Sequence, residues 1–228
     1  MKKLGIVLVV IGVLLAIAIG VGFWLDRKAR AMAEEEAEKR IVEVLPRMRS
    51  ADVQIDGFPF LADVLLFATV DRLHVRLEEI EGAGVSVESV ALVVDKLHID
   101  RDLLLGEKKL AVTGIDRAEV TARLTADAIS RVLKQKIELA GDKAKVHAHG
   151  FVVDASLKVN KRRVEVELTG AMPPEVAAVA LGRPLVFQLP PEEVLPCAPA
   201  LRIIDSRLEL GCTVTELPAG VKRALGQR

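Results

Sequence analysis

"TVDRLHVRL" (Thr69–Leu77) and "VSVESVALVVDKLHID" (Val85–Asp100) decide the fold. In the first, Leu73, Val75 and Leu77 face one way while Arg72, His74 and Arg76 face the other. That is the period of a strand with one wet face. In the second, both faces turn apolar from Val90 to Val94, which predicts a long strand covered on both sides at its centre. The "GAG" at 82–84 joins them. Without a third glycine or a following helix it reads as a strand connection, not a dinucleotide loop.

The same alternation spreads outward along the chain. In "EKKLAVTGIDRAEVTARL", Leu110, Val112, Ala118, Val120, Ala122 and Leu124 share a face. "RRVEVEL" sets Val164, Val166 and Leu168 against Arg163, Glu165 and Glu167, and "LELGCTV" does likewise with Leu208, Leu210, Cys212 and Val214. One helix stands among these strands: "TADAISRVLKQKIELAG", with Thr125 as N-cap, Asp127 in the first turn, an Ile129–Val132–Leu133–Ile137 stripe and Gly141 at its end. Much strand must therefore be covered by little helix. The expectation is an α+β fold, in which an N-terminal transmembrane helix precedes a long curved antiparallel sheet wrapped around one or two helices. The aliphatic surface left over lines a groove.

The transmembrane helix is expected from Leu4 to Leu25, "LGIVLVVIGVLLAIAIGVGFWL", which carries no charge. At ~1.5 Å per residue it spans the ~30 Å hydrocarbon layer. Lys2 and Lys3 precede it and "DRKAR" follows, with Trp24 at the interface. This predicts a cytoplasmic tip at 1–3, an anchor at 4–25, a stalk or packing helix at 26–49 and an extracytoplasmic domain at 50–228, single-pass in the cytoplasmic membrane. A cleaved signal peptide is the competing reading, because "AMA" at 31–33 is a small-x-small site. In the stalk, Ala37, Ile41, Leu45 and Met48 form an apolar stripe, Glu34, Glu35, Glu36, Lys39 and Arg40 cover the rest, and Pro46 bends or ends the helix.

The 228 residues suffice for one domain with a sizeable core. With 32 basic and 32 acidic residues the net charge is zero, and only 3% of residues are aromatic. Neither the counterion-displacing surface nor the stacking platforms of a nucleic-acid binder are provided for. Two cysteines, Cys197 and Cys212, most economically form one disulfide outside the cytoplasm; two buried free thiols are the alternative.

The turn "IDGFPFLADVLL" (Ile55–Leu66) concentrates aromatics in a chain with six Phe, one Trp and no Tyr. Gly57 permits the turn and Pro59 fixes it, so that Phe58 and Phe60 are aimed by it, with Leu61, Val64, Leu65 and Phe67 on a short helical turn. The two Phe are either a groove lip or membrane wedge, or core plugs at one end of the sheet.

The segment from Val53 to Ile99, with its "GFPFL" turn, acidic or basic strand and Gly-containing turn into a second long strand, resembles the opening of the envelope domain in LmeA-like phospholipid-binding proteins. "VTARLTADAISRVL" is similar to their strand-to-helix step, and "LPCAPALRIIDSRLELGC" to their closing strand. The departure is "LLFATVDRL", where a Gly-containing turn is usual. The resemblance implies a domain similar to tubular lipid-binding modules, with a phospholipid or related membrane lipid as partner; no cofactor is expected. Acyl chains need a lining without directional demands, each buried methylene contributing about 0.8 kcal/mol. The candidate lipid-binding residues are Phe58, Phe60, Leu61 and Leu65 from the turn, Leu92, Val94 and Val120 from strands, and Ile129 and Leu133 from the helix.

Other constellations point elsewhere. His147 and His149 share a strand face with Lys143 and Lys145, which repel a metal ion; a solvated face or a lipid-phosphate contact fits better. "NKRR" at 160–163 reads as a hairpin turn, or as a headgroup contact. No "GxSxG" frame and no nucleophile with a base is present. The function expected is therefore non-catalytic: phospholipid binding or transfer in the cell envelope, in support of glycolipid assembly as the resemblance implies. The alternative is a membrane-anchored structural or assembly factor that packs on a protein partner of unknown identity and carries no lipid.

Overall fold

The computed structural model describes residues 2–44, 48–82, 85–107, 111–148, 151–169, 185–189, 195 and 197–216. Leu45, Pro46, Leu110 and His149, named above, lie outside them. The fold is α+β, with curved antiparallel sheets and few helices.

One helix, α1 (Lys2–Val44), opens the chain and ends two residues before Pro46, where a following proline disfavours helical backbone. It runs without a break through the expected boundary between anchor and stalk. Side chains are described from Gly20 onward. Among the residues whose side chains are described no helix is long and apolar enough to cross a membrane, so the expectation of a span at Leu4–Leu25 rests on the sequence.

The strands are β1 (Ser50–Asp56), β2 (Thr69–Gly82), β3 (Val85–Ile99), β4 (Val112–Thr125), β5 (Lys136–Ala140), β6 (Lys143–Ala148), β7 (Phe151–Asn160), β8 (Arg163–Leu168), β9 (Leu185–Gln188), β10 (Ala200–Ile204) and β11 (Arg207–Val214). They form two sheets and not the single sheet expected: a six-stranded one, β1-β2-β3-β4-β11-β10, and a five-stranded one, β5-β6-β7-β8-β9. The division follows from β11, which returns to pair with β4 (Arg207 opposite Thr125, Val214 opposite Ala118) and leaves the intervening meander to build its own sheet.

The period-two faces meet in one core. Val87, Val90, Val120, Ala122, Leu124, Leu208 and Leu210 from the first sheet pack with Leu139, Val146, Val164 and Phe187 from the second. Helix α4 (Ala126–Leu133) links them, touching β3 and β4 on one side and β5 and β9 on the other. Thr125 caps it, its hydroxyl accepting from Ala128 N at 3.1 Å. The helix stops at Leu133 and not at Gly141, because Lys134 takes the left-handed conformation (φ 52°). Ile137, expected on the helical stripe, is a buried residue of β5, where Ile137 and Leu139 alternate with wetter neighbours. Ser130 Oγ stabilises this exit by accepting from Ile137 N at 2.8 Å.

A disulfide joins Cys197 to Cys212 at the base of the β10–β11 hairpin. "NKRR" is the β7–β8 hairpin, with Asn160 opposite Arg163 and Lys161 at φ 56°.

Candidate functional site

The turn "GFPFLADVLLF" is built against α1. Gly57 adopts φ 126°, a conformation that favours glycine, and a Cβ there would lie tight against Asp71 Cβ at 3.3 Å. Phe58–Pro59 is a cis peptide. Pro59 O then accepts from Ala62 N and Asp63 N, both at 3.1 Å, starting a one-turn helix, α2 (Phe60–Ala62). A π-helical turn (Asp63–Phe67) follows and Ala68 closes it in the left-handed conformation (φ 55°). That alanine occupies the place where a glycine-containing turn was the usual pattern.

Backbone groups freed by this irregular path find partners on α1. Asp26, 3% exposed, accepts from Leu61 N at 2.7 Å. Arg30 donates to Gly57 O and lies 3.4 Å from Asp26 Oδ2. One turn further on, Glu34 accepts from Ile55 N at 2.7 Å and Glu38 from Val53 N at 3.1 Å. Asp26, Arg30, Glu34 and Glu38 recur every four residues and so lie on one helix face. Ala29 and Ala33 on the same side pack on the turn's core and let the helix approach closely. The edge of β1 is thereby covered, the outward N–H groups of Val53 and Ile55 taken up by carboxylates. Glu34, expected on the polar side of the stalk, is instead half-buried against β1; the spacing by four of Ala29 and Ala33 beside it is the signal in the sequence for that contact.

The turn sorts its apolar residues by direction. Phe60 and Val64 point inward and pack with Ile55, Val70 and Ile99 in a second, smaller core, with Leu61 partly buried against it. Phe58 points outward, 65% exposed, its ring 5.6 Å from that of Phe23 on α1. Leu65, Leu66 and Phe67 are exposed in succession, the last two at 67% and 68%. Helix α3 (Arg101–Glu107) lies beside them: Arg101 donates to Leu65 O at 3.3 Å, Leu104 joins the small core, and Leu105 is exposed. Trp24 is also exposed, with Lys28 Nζ 5.2 Å from its ring centre. Large exposed apolar side chains thus gather at one end of the domain, hereafter the tip. Behind them, burial together with the carboxylates of Asp71 and Asp26 pushes the Asp63 carboxyl above the usual carboxylate range.

The remaining expected residues lie elsewhere. Val120, Ile129 and Leu133 are in the main core with exposures of 3%, 0% and 3%; Leu92 is partly buried against it, and Val94 is buried. The structure brings Phe60 and Leu61 together at the tip and Val120, Ile129 and Leu133 together in the main core, but does not join the two groups. Leu66, Phe67, Leu105 and Phe23 enlarge the tip set; the apolar run Leu65–Phe67 is visible in the sequence, but not that all three of its side chains are exposed, and Leu105 and Phe23 come from segments distant from the turn.

The open face of the six-stranded sheet carries clefts of another character. One of about 510 Å³ is lined by Arg76, Glu78, Ser89, Thr121, Arg123 and Glu209. Another of about 420 Å³ lies beside Glu119, Arg202, Gly211 and Thr213. Ala91, Thr121 and Gly211 stand side by side across three strands, and these short side chains form the floor. An acyl chain placed there would strip water from charged groups without pairing them, so these clefts do not suit it. His147 Nε2 pairs with Glu138 at 3.0 Å. Among the described residues no three metal-ligating groups converge.

A family model described as LmeA-like phospholipid-binding matches residues 25–225 of the chain. Comparison with curated proteins and with solved structures gave no match.

Proposed function

Because the chain belongs to the LmeA-like phospholipid-binding family over residues 25–225, we propose that it is a non-catalytic phospholipid-binding protein of the cell envelope. Its apolar segment, Leu4–Leu25, anchors it in the cytoplasmic membrane, and its two-sheet domain stands on the extracytoplasmic side. There it binds or transfers phospholipid in support of envelope glycolipid assembly. The observation that carries this reading is the gathering of exposed apolar side chains at the end of the domain where α1 leaves for its apolar segment. Apolar area removed from water contributes about 25 cal/mol per Å², and an acyl chain supplies such area without polar groups to satisfy. The Cys197–Cys212 disulfide supports an oxidising compartment.

The test is lipid extraction and native mass spectrometry on the full chain, released in detergent and washed until loosely associated lipid is gone. Phospholipid retained at a fixed ratio to protein is expected. A lipid-free folded chain would overturn the proposal and favour an assembly factor that binds a protein partner.

A further inference from the structure

The tip is assembled from segments far apart in sequence: Phe23 and Trp24 from α1, Phe58 and the Leu65–Phe67 run from the turn, and Leu105 from α3. They are fixed relative to one another. Buried Asp26 holds Leu61 N, Arg30 holds Gly57 O, and Arg101 holds Leu65 O, so the backbone of the turn is hydrogen-bonded to a helix on either side at three points. Three consecutive exposed apolar residues on such a rigid turn mark an interaction surface.

What the surface meets follows from chain direction. α1 runs antiparallel to β1, Glu38 lying against Val53 and Glu34 against Ile55. Its start therefore projects past the tip, and the residues before Phe23 are apolar back to Leu4. Phe58 packs on Phe23, so any plane that holds Phe23 and Trp24 at a water–hydrocarbon boundary also holds Phe58. Trp prefers that boundary, and with Trp24 there Lys28, stacked on its ring, would be within reach of headgroup phosphates.

We propose that the tip is a wedge that enters the surface of a phospholipid bilayer, with Phe58, Leu66, Phe67 and Leu105 in the interfacial layer at the depth of Trp24. The proposal rests on the reading of Leu4–Leu25 as the membrane anchor, and adds that the domain lies against the bilayer that this helix enters instead of standing clear of it.

The experiment uses the full chain in phosphatidylcholine–phosphatidylglycerol vesicles, with brominated phospholipids as depth-resolved quenchers of tryptophan. Trp24→Phe removes the single native Trp, and reporters are then introduced one at a time. Phe67→Trp reads the tip. Ile204→Trp reads the opposite end of the six-stranded sheet, beside the Arg207–Thr125 pair and about 40 Å from the tip at ~3.3 Å per strand residue. Both positions are exposed, so both variants should fold, which circular dichroism checks.

The expected result is a blue-shifted Phe67→Trp maximum and about a two-fold loss of emission with shallow bromolipids, against none for Ile204→Trp. Emission from Phe67→Trp as red and as unquenched as that from Ile204→Trp would overturn the wedge. Lipid retention is measured on the same preparations. A quenched reporter on lipid-free protein would keep the wedge and remove the lipid-binding function; an unquenched reporter on lipid-loaded protein would do the reverse.

Discussion

Removing the two carboxylates that cover β1 should open that edge while leaving the core in place. In Glu34→Ala/Glu38→Ala the N–H groups of Ile55 and Val53 lose acceptors at 2.7 and 3.1 Å and face a seam of alanines. Hydrogen bonds to charged acceptors contribute about 1.5–3 kcal/mol each. Both carboxylates are only partly buried, so the lower end applies and the pair together is worth about 3 kcal/mol. At ~1.4 kcal/mol per tenfold, local opening of β1 should become roughly a hundredfold more frequent. Amide hydrogen exchange at Val53 and Ile55 measures it directly. Glu35→Ala/Glu36→Ala is the control, because those side chains lie on the exposed face, paired with Lys39 and Arg40; exchange in β1 should not change. Unaltered protection of Val53 and Ile55 in the first double variant would refute the idea that α1 holds this edge through its carboxylates.

Cys212→Ser should lower the stability of oxidised protein by about 3 kcal/mol from loop-closure entropy, read as a fall of roughly 6–12 °C in melting temperature; equal melting would remove any stabilising role of the Cys197–Cys212 bond. Ser130→Ala leaves Ile137 N without its acceptor at 2.8 Å and should cost about 1–3 kcal/mol in urea unfolding, whereas an unmoved midpoint would mean that the helix exit is set by Lys134 alone. The Asp63 carboxyl is raised by burial and by Asp71 and Asp26, so the stability it contributes is present below the ordinary carboxyl pKa and is lost as pH rises through its folded value. Asp63→Asn should therefore be the more stable protein at neutral pH, with its advantage shrinking toward about pH 4; parallel stability profiles of the two proteins would contradict this.

The strands were legible because their pattern is local. Val164 and Val166 in β8, or Leu208 and Leu210 in β11, announce burial by alternation, and the structure buries them. Thr125 announced its cap and Gly57 its turn for the same reason, since each acts on its immediate neighbours. Partnership between distant strands left no such trace. Nothing near Arg207 marks Thr125 as its cross-strand neighbour, and without that pair the strands read as one sheet. The end of α4 was misplaced because Ile137 satisfies both periods, at four from Leu133 and at two from Leu139. In the candidate site, the sequence singled out the turn but not which way each residue points. Phe58 and Phe60 are equally apolar; only the contacts of Phe60 with Val64 and Ile99 and of Phe58 with Phe23 separate them.

The unbroken backbone of α1 ties the domain's facing direction to a residue count. The face that grips β1 and the turn is set by Asp26, Arg30, Glu34 and Glu38, and the same helix continues upstream to Lys2. Each residue turns a helix by ~100° and lengthens it by ~1.5 Å. One residue inserted between Phe23 and Asp26 would therefore swing the whole domain about a quarter turn around the axis of its upstream segment and carry Phe58 away from Phe23. Seven inserted residues would restore the azimuth to within ~20° while displacing the domain by ~10.5 Å along the axis. Height can thus be changed at nearly constant azimuth, but azimuth never without height, and the domain behaves as a vane keyed to its shaft.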